Sequence, residues 1–141
     1  MQSQPLEKKQ RIQLNTEQVQ AVLVNFKDIK FAILFGSLAK GTESPDSDLD
    51  IAVLAGEPLS AKRRIDLIDA LALAIGRPVD LVDLRTVGQP LLNQILKYGE
   101  RVLGTDDQMA ALVYRNIVDR ADFVPLRNRI LKEASTAWIS K

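Results

Sequence analysis

The chain contains no cysteine and no histidine among its 141 residues. The absence of cysteine excludes disulfides, thiolate nucleophiles and zinc–thiolate sites. The absence of histidine excludes a Ser-His-Asp triad and disfavours a site for a soft metal. Any catalysis must therefore use carboxylates, hydroxyls, lysine or arginine, and metals bound through oxygen.

The chain also lacks a strong excess of charge and a long apolar run. Its net charge of +1 gives no overall field that would favour nucleic acid or a membrane, so we expect neither as a direct partner. No apolar run approaches the roughly 18 residues of a membrane span, and residues 1–13 lack the apolar segment of a secretory signal. These features favour a cytoplasmic globular protein with a single domain over residues 1–141.

Hydrophobic patterns predict alternating helices and strands. Continuous apolar runs predict buried strands at 31–35, 49–54 and 78–84, with a short fourth candidate at 101–103. Helical spacing predicts helices from Asn15 or Thr16 to about Asp28, from Ser60 to Gly76, and over about 90–97, after a frayed segment 1–13. The second helix is expected to bury Ile65, Ile68, Leu71, Ala72 and Ile75. This alternation predicts a small α/β (α+β) domain whose sheet is flanked by helices, with its core over about 15–104.

A helical tail is predicted to follow the core, over about 106–139. Asp106 is expected to cap it, and Pro125 is expected to break or kink it into two helices. The second apolar stripe includes Trp138, the only tryptophan. Two interpretations stay open: the stripe packs inside the molecule, or Trp138 anchors a partner, because large aromatics are enriched at interface centres.

The segment 35–50, FGSLAKGTESPDSDLD, begins with residues suited to phosphate. Gly36 follows a predicted buried strand, where glycine lets the backbone turn and lets a phosphate approach the amides. Ser37 adds a hydroxyl donor, Lys40 adds a positive charge, and Gly41 permits a second bend. Taken alone, this pattern is more typical of a plain strand-to-loop turn, and it is not a P-loop because the Gly-Lys-Ser/Thr ending is missing.

The same segment ends with two aspartates that suit a divalent metal. Asp48 and Asp50 share one face of a strand, with Cα atoms roughly 7 Å apart, so their carboxylates can converge on a cation. A cation would also relieve the repulsion between them, although a pair of solvated loop aspartates is equally consistent with the spacing. On the third strand Asp80 and Asp83 face opposite sides, so only one can join the pair; we expect Asp80 and keep Asp83 as the alternative.

Oxygen ligands beside a phosphate-binding turn favour Mg²⁺ and a nucleoside triphosphate. Two ions would serve an in-line displacement at phosphorus. Asp80 would then complete the shell of the second ion or accept the proton of the attacking hydroxyl.

Gly36-Ser37, ten intervening residues and then Asp48-Leu49-Asp50 resemble the signature of the DNA polymerase β-like nucleotidyltransferase superfamily. With the strand PVDLVDL, the segment from about 15 to 103 resembles the minimal nucleotidyltransferases (MNT), which are commonly the antitoxins of HEPN/MNT toxin–antitoxin pairs. The resemblance implies a small mixed β-sheet. It also implies catalytic, metal-binding carboxylates at Asp48, Asp50 and Asp80, and nucleotide contacts from Gly36, Ser37, Lys40 and Gly41.

The resemblance further implies transfer of AMP from ATP, with Mg²⁺, onto a tyrosine of a partner HEPN ribonuclease toxin, which is thereby silenced. Lys40 stands where the family frequently has arginine. The ammonium group of lysine is a point charge and cannot make the paired hydrogen bonds of a guanidinium group, so we expect the contact with phosphate to be weakened but not abolished. Two alternatives stay open. One is an antitoxin that acts by binding alone. The other is a transferase acting on a small molecule such as an aminoglycoside, although such enzymes usually carry a larger substrate-binding domain than the about 40 residues that follow this core.

Overall fold

The computed structural model describes residues 7–44 and 46–139, with side chains in the last helix described up to Ala121 and at Arg129 and Lys132. Five helices and four strands alternate in these residues. In chain order they are α1 (Lys8–Leu23), β1 (Ile29–Phe35), α2 (Gly36–Lys40), β2 (Leu49–Ala55), α3 (Ala61–Ile75), β3 (Val79–Asp83), α4 (Leu91–Tyr98), β4 (Glu100–Leu103) and α5 (Asp106–Ile139).

The four strands form one mixed sheet in the order β3-β2-β1-β4. β1 is antiparallel to both β2 and β4, whereas β2 and β3 are parallel. α1 and α3 cover one face, and α4 and the start of α5 cover the other. β1 is buried on both faces, which explains its continuous apolar run. The predicted mixed sheet flanked by helices is confirmed.

Successive side chains of each strand point to opposite faces of the sheet. In β2, Leu49, Ile51 and Val53 face α1 and α3. Ala52 faces α4, as does Val82 of β3. Because side chains alternate along a strand, Asp50 and Asp80, each two residues earlier, lie on the α4 side of the sheet.

α1 begins earlier than predicted, at Lys8 rather than at Asn15 or Thr16, and ends at Leu23 rather than near Asp28. Glu7 and Gln10 form a capping box at its start. Residues 8–13 are therefore helical and not frayed. Hydrophobic spacing misses this segment because none of its residues is buried, and its contacts include a hydrogen bond from Arg11 to the backbone of Gly41.

α3 has the predicted ends and most of the predicted buried face. Ser60 Oγ accepts a hydrogen bond from the Arg63 backbone N–H, and Gly76 ends the helix in the left-handed region at φ +73°. Leu71 is fully buried as predicted, and Ile68 and Ile75 pack partly buried against the same core. Ile65 is wrong, because it is 57% exposed, and the fully buried Leu67 was not predicted. The helix is apolar on more than one side, so spacing alone set the edge of the buried face wrongly.

α5 differs from the predicted tail in two ways. Thr105, not Asp106, caps it, through a reciprocal pair of hydrogen bonds with Gln108. The backbone is a single helix that continues through Pro125, so the two predicted helices are one. A proline removes one N–H donor, but hydrogen bonds on either side can continue the helix. The side chain of Trp138 lies outside the described residues, so its predicted role is untested.

No helix in the parts of the chain that the structure describes combines the length and the apolar character needed to cross a bilayer.

Candidate active site

The turn after β1 is tighter than predicted, because the chain enters the short helix α2 at Gly36 instead of a loop. Gly36 has φ +71°, a conformation that L-residues rarely adopt. A Cβ at this position would overlap Asp50 Oδ2 and would lie 3.1 Å from Asp50 Cγ. The backbone of the turn therefore lies directly against the Asp50 carboxylate, which only glycine permits. Ser37, the next residue, is half-buried in the first turn of α2.

The sheet brings two of the three predicted carboxylates side by side. Asp50 is the register neighbour of Phe35 on one side and of Asp80 on the other. Asp50 is half-buried and Asp80 is exposed. Asp48 is exposed and immediately precedes β2. The turn at Gly36 and the aspartates thus meet at one end of the sheet.

Asp83, the alternative to Asp80, lies elsewhere and is almost fully buried. Its two carboxylate oxygens accept hydrogen bonds of 2.9 Å from the backbone N–H groups of Leu59 and Arg85. These bonds hold the segments that follow β2 and β3. Asp83 is therefore engaged in structural contacts, and Asp80 is the β3 aspartate that neighbours Asp50.

The electrostatics of the site centre on Asp50. Burial raises the pKa of its carboxyl, and the carboxylates of Asp80 and Asp48 raise it further. A hydrogen bond between Asp50 and Asp80 acts in the same direction. A proton or a cation shared between these oxygens would relieve the repulsion, so the local charge favours binding of a positive ion.

The donor set fits a hard cation that takes part of its coordination from a substrate. Among the described residues, no group of three or more acidic side chains could hold a metal ion as it stands. Mg²⁺ in phosphate sites usually takes one or two carboxylates and completes its octahedron with water and phosphate oxygens. Asp50 and Asp80, with Asp48 beside them, fit that manner of binding.

Two arginines hold the loop that joins the turn to Asp48. Arg11 of α1 donates a 2.7 Å hydrogen bond to the Gly41 carbonyl and pairs with Glu43 at 3.3 Å. Arg77 donates to the carbonyls of Ser44 and Ser47, at 2.6 and 3.0 Å. The sequence did not identify these arginines, because neither lies at a motif spacing from the loop. Only the fold brings them to it.

The remaining predicted nucleotide contacts lie at the other end of α2. Gly41 ends this helix at φ +69°, and a Cβ there would overlap the side chain of Lys8. Lys40 is exposed, with its ammonium 5.6 Å from the centre of the Tyr98 ring. The sequence did not predict this contact, since nothing in the sequence context of Tyr98 distinguishes it from a surface residue of α4.

Comparison with known proteins places the chain in a family. Residues 17–108 match the family model described as polymerase beta, nucleotidyltransferase. The chain is 39% identical over 103 residues to protein adenylyltransferase MntA of Shewanella oneidensis, covering 71% of this chain and 74% of that protein.

Two solved toxin–antitoxin structures contain chains of the same fold. One, a toxin–antitoxin with AMP-PNP, has a chain that is 30% identical with a TM-score of 0.75, covering 85% of this chain and 98% of that one. The other is a tri-AMPylated Shewanella oneidensis HEPN toxin with its MNT antitoxin; the identity is 29% and the TM-score 0.71, covering 87% of this chain and 98% of that one. With the family match over residues 17–108, these likenesses show that the chain belongs to the polymerase beta nucleotidyltransferase family.

Proposed function

We propose that this protein is an antitoxin that transfers AMP from ATP to a tyrosine of a partner HEPN ribonuclease toxin and thereby neutralises it. One observation carries the proposal: the Gly36 backbone lies against Asp50, which neighbours Asp80, so a phosphate-binding turn and an acid pair border one site. The similar proteins support it, since one is named a protein adenylyltransferase and another is an antitoxin bound to an AMPylated HEPN toxin.

In this proposal Asp48 and Asp50 bind metal, and Asp80 either completes the shell of a second ion or accepts the proton of the attacking hydroxyl. The raised pKa of the Asp50 carboxyl supports a cation at this point, because a positive charge offsets both its burial and its acidic neighbours. When bound, two Mg²⁺ ions would activate the attacking oxygen and stabilise the departing phosphate charge.

In this proposal the turn at Gly36 binds the nucleotide. The Ser37 hydroxyl and the backbone at Gly36 face the triphosphate, while Lys40 supplies positive charge and Gly41 shapes the end of α2. The bond between the tyrosine oxygen and the α-phosphorus forms as the bond from that phosphorus to the β-bridging oxygen breaks. Pyrophosphate leaves, and the tyrosine proton passes to Asp80 or to water. We propose that residues 1–141 form one nucleotidyltransferase domain for this reaction.

An antitoxin that acts by binding alone is the second candidate. Both candidates require a surface that binds the partner, and α5 offers one. Its described part exposes four apolar residues, Val113, Tyr114, Ile117 and Val118. An antitoxin that acts by binding alone would not require the close contact between Gly36 and the Asp50 carboxylate. Deleting residues 134–141 and measuring the affinity for the partner would test whether the end of the tail, including Trp138, contributes an anchor.

The carboxylates decide between the two candidates. The double variant Asp48→Asn/Asp50→Asn preserves side-chain size and removes both charges. We expect it to bind the partner but to lose neutralisation of toxin activity and to leave the toxin mass unchanged. If the double variant neutralises as well as the wild type at equal expression, modification is not the mechanism and binding alone suffices.

A further inference from the structure

The end of α4 presents an exposed aromatic ring beside two lysines. Tyr98 is 57% exposed. The ammonium of Lys97 lies 5.2 Å from the centre of its ring, and that of Lys40 lies 5.6 Å away. In the part of the chain that the structure describes, neither ammonium forms an ion pair with an acidic side chain. Two cations therefore lie near one ring, with no acidic side chain of the described residues within ion-pair distance.

This cluster lies on the same face of the sheet as the acidic group. α4 packs through Leu92 and Ile95 against the face to which Ala52 contributes. Asp50, two residues before Ala52 in β2, shares that face because side chains alternate along a strand. The cluster and the acids are thus on one side of the sheet.

The cluster also lies at the same end of the sheet. Gly99, which directly follows Tyr98, is packed so tightly that a Cβ would overlap the Ile33 side chain and lie 3.0 Å from the Leu34 carbonyl oxygen. These residues precede the turn at Gly36. The end of α4 is therefore fixed beside the strand end from which α2 begins, and Lys40 reaches the ring from α2.

We propose that Lys97, Tyr98 and Lys40 form an outer anion subsite that receives the β- and γ-phosphates of the nucleotide and the pyrophosphate released from it. This inference rests on the proposed function and extends it. The acids at Asp50 and Asp80 repel a phosphate unless a cation intervenes, whereas the two ammonium groups attract it directly. A polyphosphate that crosses the Gly36 turn from the acid side meets these lysines at the end of α2.

Tyr98 is a positioning residue in this subsite. A ring face attracts an ammonium group through its quadrupole, so one aromatic ring holds two like charges near the same point. Lysine side chains are otherwise flexible and lose entropy when they are immobilised on a ligand. Preorganisation by the ring reduces that loss.

The test is a calorimetric titration of the full-length protein, in Mg²⁺, with AMP-PNP and separately with AMP. Lys97→Met removes the charge but retains the length of the side chain. We expect its Kd for AMP-PNP to rise about five- to tenfold, as for loss of one charge-assisted contact, while its Kd for AMP is unchanged. Lys97→Arg should recover most of the affinity. Tyr98→Ala should weaken AMP-PNP binding more than Tyr98→Phe, because only phenylalanine keeps the ring.

Lys62→Met, at an exposed lysine of α3, is the matched control and should bind both nucleotides as the wild type does. If Lys97→Met and Lys62→Met have the same Kd for AMP-PNP, the subsite is wrong while the proposed function stands. Equal weakening of AMP and AMP-PNP by Lys97→Met would also reject it, because AMP carries no β- or γ-phosphate. A wild-type protein that binds neither nucleotide overturns the proposed function, and the subsite with it.

Discussion

Replacement of Gly36 by alanine tests the contact on which the candidate site depends. Gly36 and Gly76 have nearly the same positive φ, at +71° and +73°. A Cβ on Gly76 meets nothing within 4 Å, whereas a Cβ on Gly36 overlaps the Asp50 carboxylate. Gly76→Ala therefore measures the backbone strain alone, and Gly36→Ala measures the same strain together with displacement of Asp50.

The magnitudes follow from this geometry. An L-residue in the left-handed region costs roughly 1–2 kcal/mol, which is the whole loss expected for Gly76→Ala. In Gly36→Ala the Asp50 side chain must also leave its rotamer, which adds roughly 0.5–1.5 kcal/mol. Transfer activity should fall further, since a misplacement of about 1 Å in a catalytic group can cost roughly a hundredfold.

A double-mutant cycle isolates the clash. Asp50→Ala removes the overlapping carboxylate and leaves only the Asp50 Cβ, at 3.4 Å from the new methyl carbon, which is an ordinary contact. In that background Gly36→Ala should cost no more free energy of unfolding than Gly76→Ala does in the wild type, giving a coupling of about 0.5–1.5 kcal/mol. Urea unfolding gives the free energy of unfolding of the four proteins of the cycle and of Gly76→Ala. A coupling of zero would mean that Gly36 and Asp50 are not in contact.

Three further predictions concern charge. Asp50→Asn should raise the Tm of the metal-free protein at neutral pH, because burial and neighbouring carboxylates raise the pKa of this carboxyl and so make its ionised form destabilising; a lower Tm would contradict this electrostatic description. That destabilisation should be absent at low pH and appear as the pH rises above the ordinary value of 3.8, and Mg²⁺ should stabilise the wild type more than the variant. Arg77→Ala should lower kcat and increase the Mg²⁺ concentration needed for activity, because the loop before Asp48 loses two hydrogen bonds. The control variant Arg63→Ala changes a residue remote from that loop and should change neither quantity. Equal kinetics of the two variants would reject the role of Arg77. The hydrogen bond from Arg63 lowers the pKa of Asp28, so Arg63→Ala should have a lower Tm than the wild type at neutral pH. The difference in Tm should shrink as the pH falls below 3.8 and through the lowered pKa of Asp28. A difference in Tm that does not depend on pH would refute this role of Arg63.

Local chemistry explains why much of the fold was predictable. A strand buried on both faces must be continuously apolar, so β1 and β2 are evident from the sequence. Ser60 and Gly76 delimit α3 because capping depends on residues close in sequence. The start of α1 was missed because its N-cap is Glu7, which is not among the preferred capping residues, and because Arg11 contacts Gly41, 30 residues away.

The candidate site divides in the same way. Gly36, Asp48 and Asp50 lie within one short segment, and their spacing could be interpreted directly. Asp80 was predicted from the alternation of side chains along β3. The structure places it beside Asp50, and its role in catalysis stays a prediction. The contacts of Arg77 with the loop before Asp48 and of Tyr98 with Lys40 could not be predicted, because the order of strands in the sheet determines which distant residues meet.

The most direct test of the account is to follow two labels of ATP. The protein is incubated with Mg²⁺, the proposed HEPN partner, and ATP labelled either at the α- or at the γ-phosphate. Adenylyl transfer predicts that the α-label becomes attached to the partner and that the γ-label is released in pyrophosphate, with both events lost in Asp48→Asn/Asp50→Asn. A γ-label on the partner, or neutralisation of the partner with neither label attached, would contradict the account.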